Sequence, residues 1–234
     1  MERNAFKLLN DMEKSWWYRG RAAAVRAALA HCGANRATDV LDFGAGYGGM
    51  HDELSKLGKN IYAFEPDAEA RKAAEKRGYA QVFFSESEAF GRSYDLMGLF
   101  DVVEHIERDY EFLTKAHGAL RAEGRLLITV PAFQFLWSTH DTQHHHFRRY
   151  TEASMRGVLD RAGFDAEYMS YWNMTLFIPA AIMRFLGRSG DSALSMPRWL
   201  DTIFFAIVKA ESLLIRLTPL PFGVSLVVIA RKKF

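Results

Sequence analysis

The sequence predicts one α/β domain built on a mostly parallel sheet with helices on both faces. Three observations carry that expectation. Short apolar runs alternate with helical patterns between residues 38 and 130, the signature of βαβ units. A glycine-rich turn, Gly44-Ala45-Gly46-Tyr47-Gly48-Gly49, follows the first run and opens the next helix. The chain has 234 residues, 49% hydrophobic and 25% charged. A chain of that size buries about 70–75% of its unfolded surface without needing a disulfide or a metal.

Each element has a local reason. Arg3 to His31 is rich in helix formers, with Ala22-Ala23-Ala24-Val25 and Ala27-Ala28-Leu29-Ala30, and Cys32-Gly33-Ala34-Asn35 ends it. Thr38 to Phe43 reads as a buried strand, Met50 to Leu57 as a helix and Ile61 to Phe64 as a strand. Ala68 to Arg77 is a helix closed by Gly78, and Gln81 to Phe84 a strand. Tyr94 to Leu99 is a strand, Tyr110 to Leu120 a helix and Arg125 to Val130 a strand, joined by right-handed crossovers. Thr151 caps a helix running to Ala162. Phe164 to Trp172 and Val224 to Ala230 are strands. Between them, Met174 to Leu217 holds two apolar helical patterns split by Gly187-Arg188-Ser189-Gly190. The expected organisation is a single domain: a helical cap over 1–35, a core over 36–172, a helical insertion over 173–218, and a last strand with the basic tail Arg231-Lys232-Lys233 over 219–234.

Thirty basic and 28 acidic residues give a formal net charge of +2. No strongly basic face is expected, which argues against a nucleic-acid partner. The one cysteine, Cys32, excludes an intramolecular disulfide, and nothing points to an oxidising compartment. Met1-Glu2-Arg3-Asn4-Ala5 has no apolar signal core. The longest uncharged stretch, Tyr168 to Met183, is interrupted by Ser170, Asn173 and Pro179. It falls short of the ~20 apolar residues of a spanning helix. The expected location is the cytoplasm, with peripheral attachment at the inner membrane surface left open.

The glycine turn carries the clearest chemistry. Glycines there let a ligand approach the backbone, and free N–H groups at the helix start favour electron-rich atoms. Glu65 ends the next strand, where a carboxylate can accept ribose hydroxyls. An adenosine ligand is expected. Gly44, Gly46 and Gly49 also satisfy G-x-G-x-x-G, so a nicotinamide dinucleotide competes. Asp42 weighs against it, because a buried carboxylate before the first glycine repels a pyrophosphate and suits an ammonium and a sulfonium. The plainer alternatives are a loop-capping role for Asp42 and a helix N-terminal role for Glu65 before Pro66.

With these residues the sequence resembles the class I S-adenosylmethionine-dependent methyltransferases, over about residues 16–172 and the last strand. The resemblance rests on Leu41-Asp42-Phe43-Gly44-Ala45-Gly46-Tyr47-Gly48, on Glu65, on Asp101-Val102-Val103-Glu104-His105-Ile106, and on Leu120 to Ile128 with Pro131. Within that family it is similar to the branch that includes ubiquinone/menaquinone-type enzymes. It implies a Rossmann-like sheet of seven strands with an antiparallel last strand, and S-adenosylmethionine as cofactor. It further implies that Asp42, Gly44, Ala45 and Gly46 hold the methionine end and that Glu65, with Pro66, meets the ribose. Ser85 or Glu86 would sit by the adenine, and Phe100 and Asp101 would line the cofactor. The helix carrying Trp16-Trp17-Tyr18-Arg19-Gly20-Arg21 would fold over it, with Tyr18 or Arg19 facing the site. The alternative is that the tryptophans merely anchor this helix to the sheet.

Leu136 to Tyr150 follows the fifth strand, where ligand chemistry in open α/β sheets sits. Three readings compete. A histidine, His140 or His146, with Asp141, is the general base, since an imidazole pKa near 6.5 suits that work. Or His140, His144 or His146 with Asp141 holds a metal, but the stretch lacks clear ligand geometry and no metal is assigned. Or the cluster only orders the loop by hydrogen bonds. Resemblance to a His-Asp…His-x-Arg-Arg-Tyr pattern favours His140, Asp141, His146, Arg148, Arg149 and Tyr150 over His144 and His145. Arg148 and Arg149 would clamp an anionic group on the acceptor, or pair with carboxylates on a solvated face. Trp137, His144 and Tyr150 complete the expected acceptor wall. His105, after the fourth strand, is a further catalytic candidate.

The expected activity is methyl transfer to a small-molecule or lipid-linked acceptor, a hydroxyl by preference over an amine or carbon. The readings from other classes are a NAD-dependent oxidoreductase and a non-catalytic cofactor-binding subunit. In the insertion, Leu200, Ile203, Phe204, Ile207, Val208 and Leu214 recur at helical spacing, with Asp201, Lys209, Ser212 and Arg216 on the other side. It serves either as a lid or homodimer surface, or as an apolar doorway at a membrane helped by Arg184, Arg188, Arg198 and the basic tail.

Overall fold

The computed structural model of the chain describes residues 15–32, 37–185 and 197–233. The first part of the expected N-terminal helix, the Gly33-Ala34-Asn35 stop and the Gly187-Arg188-Ser189-Gly190 break lie outside the described residues. In chain order the elements are α1 (Trp16–Cys32), β1 (Ala37–Phe43), α2 (His51–Leu54), β2 (Gly58–Phe64), α3 (Ala68–Ala74), β3 (Gln81–Phe83), α4 (Glu86–Phe90), β4 (Tyr94–Phe100) and α5 (Asp109–Ala119). There follow β5 (Leu120–Pro131), α6 (Thr139–Gln143), α7 (Glu152–Arg161), β6 (Phe164–Trp172), α8 (Phe177–Phe185), α9 (Arg198–Leu217) and β7 (Ser225–Lys232).

The strands form one seven-stranded sheet in the order β3-β2-β1-β4-β5-β7-β6. Only β7 runs against its neighbours, β5 and β6. Alternate residues of each strand feed two cores, as the two-residue period of a strand requires. Leu41, Phe43, Met97, Leu99, Leu126, Ile128 and Val228 pack with Phe112 and Leu113 of α5 and Met155 and Leu159 of α7. Val40, Leu96, Leu127, Val227 and Ile229 pack with Ala24, Val25 and Ala28 of α1 and Val208 and Ile215 of α9. At roughly 25 cal/mol per Å² of apolar area, these two layers are the main stabilising term.

The short elements depart from expectation for local reasons. α2 covers four residues, not Met50 to Leu57, and Gly58 already pairs with Ala37 at the start of β2. A Cβ at Gly58 would lie 2.3 Å from Val40 Cγ2, so only glycine lets the strands begin there. α3 tightens into a 3-10 turn at Glu75–Arg77 and ends at Gly78, φ +98°. α4 was not expected; Ser85 caps it by accepting from the Glu88 N–H at 3.3 Å. Thr151 caps α7 as expected, accepting from the Ser154 N–H at 3.2 Å. The basic tail is mostly strand and is spent on ion pairs. Arg231 meets Glu123 and Glu167, and Lys233 meets Asp160 and Asp165.

α9 lies against α1. At their crossing a Cβ on Gly20 would be 2.7 Å from Val208 Cγ1. Asp201 accepts the Trp16 N–H at 2.7 Å and the Arg19 guanidinium at 2.5 Å. Glu211 accepts the Met174 and Thr175 N–H groups at 3.0 and 2.8 Å. Val208, Glu211, Ser212 and Ile215 are the buried residues of α9, while Ile203 and Leu214 are each 47% exposed. The expected sides are therefore partly exchanged, because the Asp201 and Glu211 carboxylates bond neighbouring elements and Ser212 bonds the Lys209 carbonyl of its own helix. Among the described residues no helix is long and apolar enough to cross a membrane.

Candidate active site

β1 delivers Asp42 on the same face as Val40, and the chain then turns through Gly44 (φ +73°) and Gly46 (φ +56°). At Gly44 a Cβ would meet Val102 Cγ2 at 2.8 Å; at Gly46 it would meet nothing within 4 Å. The first glycine is needed for packing and conformation, the second leaves an open floor. Asp42 is buried, and Tyr79 Oη donates to its Oδ2 at 2.6 Å. Burial pushes the Asp42 carboxyl up to about 6, with the Tyr79 hydrogen bond and the charge of Arg21 opposing. Glu65 ends β2 and accepts the N–H of Gly46 at 2.7 Å and of Asp67 at 2.8 Å, tying the glycine turn to β2. Its carboxyl is also raised, by burial.

Asp101, at the end of β4, has φ +56° and accepts from Arg21 Nη1 at 2.8 Å and Thr129 Oγ1 at 3.0 Å. The buried Arg21 guanidinium stacks 4.6 Å from the Tyr18 ring. Arg21 was not among the expected residues. Its spacing of three and four from Tyr18 and Trp17 is the signal that could have found it, since both also line the pocket.

These groups wall one cavity of about 500 Å³, within the roughly 300–1,000 Å³ of small-ligand sites. It runs from Asp42, Gly44, Ala45 and Gly46, past Tyr18, Phe100 and Asp101, to His105, His140, His144 and His146. A larger hollow of about 1280 Å³ lies where the strands begin, at Ala37, Thr38 and Asp95, and carries none of the expected residues. Ligands in such sheets bind beyond the carboxyl ends of the strands, so the smaller cavity is the candidate site.

The histidine segment is built around Asp141, which is wholly buried. Arg149 donates from Nε at 2.8 Å and Nη2 at 2.9 Å, and Ser138 donates from N at 2.8 Å and Oγ at 3.1 Å. His146 Nδ1 lies 2.9 Å from its Oδ1. Together these hold the Asp141 carboxyl well below the usual range despite its burial. An ionised Asp141 only accepts, so Nδ1 of His146 carries a hydrogen and, in the neutral ring, Nε2 keeps the lone pair. Asp141 thus positions His146. His105 stacks edge-on to His146 at 4.5 Å, and its imidazole is held below the ordinary value by burial and by the neighbouring His146. His140 lies 6.0 Å from His146, ring to ring.

Other expected residues are engaged by partners within the chain. Arg148 donates to Asp109 at 2.7 Å and to the Glu107 carbonyl at 2.5 Å, and Tyr150 donates to Asp109 at 2.9 Å. Arg149 lines the cavity, but its guanidinium is committed to Asp141. Trp137 Nε1 donates to Thr142 Oγ1 at 3.3 Å. Arg19 turns to Asp201 and lies over the Phe205 ring at 4.0 Å. Ser85 caps α4, and Pro66 is exposed. The two cations expected at the acceptor wall, Arg148 and Arg149, are thus paired with carboxylates of their own chain. Glu104 was quoted only as part of a motif; the structure brings it to the cavity wall, fully buried.

A family model described as "Methyltransferase domain" matches residues 16–168. The chain belongs to that family. A Mycolicibacterium smegmatis protein named "Probable S-adenosylmethionine-dependent methyltransferase/" is 28% identical to this chain over 162 residues, covering 66% of this chain. The match spans 62% of that relative's length. A solved SAM-dependent methyltransferase from Archaeoglobus fulgidus superposes with a TM-score of 0.58 at 16% identity, covering 90% of this chain and 92% of that one. A plantazolicin methyltransferase in complex with SAH superposes with a TM-score of 0.59 at 16% identity, covering 99% and 91%. At these identities the likeness is one of fold. Family and fold agree on the class I, S-adenosylmethionine-dependent type, and the site residues fit that cofactor. Asp42 offers a buried carboxylate for an ammonium, and Gly46 leaves the space a ligand needs.

Proposed function

We propose that this chain methylates a hydroxyl on a small, lipophilic or lipid-linked acceptor, using S-adenosylmethionine. The observation that supports it is the single cavity joining the Asp42–Gly46 turn to the imidazoles of His105, His140 and His146. The cofactor supplies an electrophilic methyl on a sulfonium sulfur. The chain supplies the rest. Asp42 and Gly46 fix the donor, while Tyr18 and Arg21 close over it from α1. A hydroxyl must lose its proton, and His140 or His146 takes it. Positioning the reacting atoms near 3–3.5 Å can lower the barrier by up to roughly 7–11 kcal/mol.

The apolar approach to the site supports a lipophilic acceptor. Phe135 (56%), Ile178 (63%), Ile182 (53%) and Trp199 (65%) are exposed. Phe177 instead packs on Phe133, Phe135 and Phe222, and Phe204 packs on Trp16. The test uses a panel of lipophilic alcohols and phenols with radiolabelled methyl donor. His140→Ala and His146→Ala should lower turnover roughly 10²–10⁴-fold, with calorimetric affinity for S-adenosylhomocysteine unchanged. Full turnover in both variants would exclude a histidine base in this loop, and transfer to amines alone would exclude the hydroxyl acceptor.

A further inference from the structure

Glu104 sits on a single 3-10 turn after β4, Val103–His105. Its side chain is fully buried, and neither carboxylate oxygen has a hydrogen-bond partner. No other buried carboxylate among the described residues has both oxygens left that way. A bare carboxylate in such a place is strongly disfavoured unless a cation meets it. Two imidazoles stand beside it, while the Arg21 and Arg149 guanidiniums in the same wall are paired to Asp101 and Asp141. One donor atom each from Glu104, His105 and His146 lie within 4.8 Å of one another.

We propose that Glu104, His105 and His146 bind one first-row divalent cation of the zinc, manganese or iron type. Two imidazoles and one carboxylate are the donor set such ions prefer, whereas magnesium and calcium want oxygen alone. Donors about 2.1 Å from one ion stand roughly 3–3.5 Å apart, so closure asks for side-chain shifts of about an ångström. Both imidazoles are already anchored from behind. His146 Nδ1 donates to Asp141, itself gripped by Arg149 and Ser138, and the His105 ring hydrogen-bonds to the backbone of His144. Outer partners of this kind fix the ring and tautomer of metal-ligating histidines. Three protein ligands leave a coordination position open, and all three residues line the cavity.

The use of such an ion rests on the proposed methyl transfer. A hydroxyl oxygen reaching the open position becomes more acidic. His146 is then a ligand, and the proton passes from that oxygen to His140. The existence of the site does not rest on that reading and is tested without acceptor or turnover. The full chain is stripped with a chelator and dialysed against zinc or manganese, and bound metal is measured by elemental analysis. One ion per chain is expected. Glu104→Gln and His105→Gln, both close in shape, should each weaken retention at least tenfold, while His145→Asn leaves it unchanged. Calorimetry with S-adenosylhomocysteine confirms that each variant is folded. A wild-type chain that retains no ion, or equal retention in both ligand variants, would overturn the site. Retained metal with no methylation of any hydroxyl would instead count against the acceptor and leave the ion site standing.

Discussion

Asp42 has a charge state that depends on pH within the range where a cationic ligand is tested. Its carboxyl is raised to about 6 by burial, so below that value it is mostly neutral. Below about pH 6 an ammonium-bearing ligand selects the ionised form and expels a proton on binding. Affinity for S-adenosylhomocysteine should be constant above about pH 7 and fall about tenfold per unit well below 6. For the unliganded chain the sign is the reverse. A raised carboxyl favours the folded state at low pH, and that contribution is lost as the pH rises through about 6. Calorimetry between pH 5 and 8 checks this, and a profile as flat as that of Asp42→Asn would remove Asp42 from the ligand's contacts. At neutral pH, Asp42→Ala and Glu65→Ala should each weaken binding by about 1.5–3 kcal/mol. At this scale the sequence is informative where spacing defines the role. Asp42 and Gly46 are legible because a strand end and a turn dictate what stands there. Arg148 and Arg149 are not, because their partners Asp109 and Asp141 lie 39 and 8 residues away and only the fold brings them together.

Between elements, the contact of α1 with α9 decides how the site is roofed. One side of α1 presents Tyr18 and Arg21 to the cavity, and its start is held by Asp201. Asp201→Ala removes that cap and should cost about 1 kcal/mol, a fall in Tm of about 2–4 °C for a chain of this size. Scanning calorimetry reads the stability, and a weaker S-adenosylhomocysteine affinity should accompany it. An unchanged affinity would show that α1 closes without help from α9. The outward faces of α8 and α9 make a second prediction. The chain should float with vesicles, more strongly with anionic lipid and less with salt, and Trp199→Glu with Ile203→Glu should abolish flotation. Arg231 and Lys233 should contribute little, since both are paired within the fold. A chain that stays in the soluble fraction with every lipid would exclude the membrane approach. The span of α9 was legible from its period, but its inward side was not. Asp201 and Glu211 bond other segments, and the buried Ser212 bonds back to the Lys209 carbonyl of its own helix, which a count of apolar positions cannot show.

For the molecule as a whole, the alternation of strands and helices made β1 to β5 readable, since buried parallel strands are near-continuous apolar runs. The antiparallel direction of β7 was not contained in any local pattern and came from family resemblance; its place in the sheet comes from the structure. That strand lies between β5 and β6, although residues 132–224 separate it from β5 and residues 173–224 from β6. Until it docks, Leu126 to Val130 of β5, all wholly buried in the finished sheet, face outward along a bare edge. The sheet therefore cannot close before β7 has been made, and that stage of assembly joins partners far apart along the backbone, a slow class of step. A chain cut after residue 218 should collect in a state that binds hydrophobic dyes and associates through that edge. Adding a synthetic peptide of residues 219–233 in trans should reverse this. If the cut chain instead remained monomeric with native near-ultraviolet dichroism, closure by β7 would be dispensable for holding the sheet.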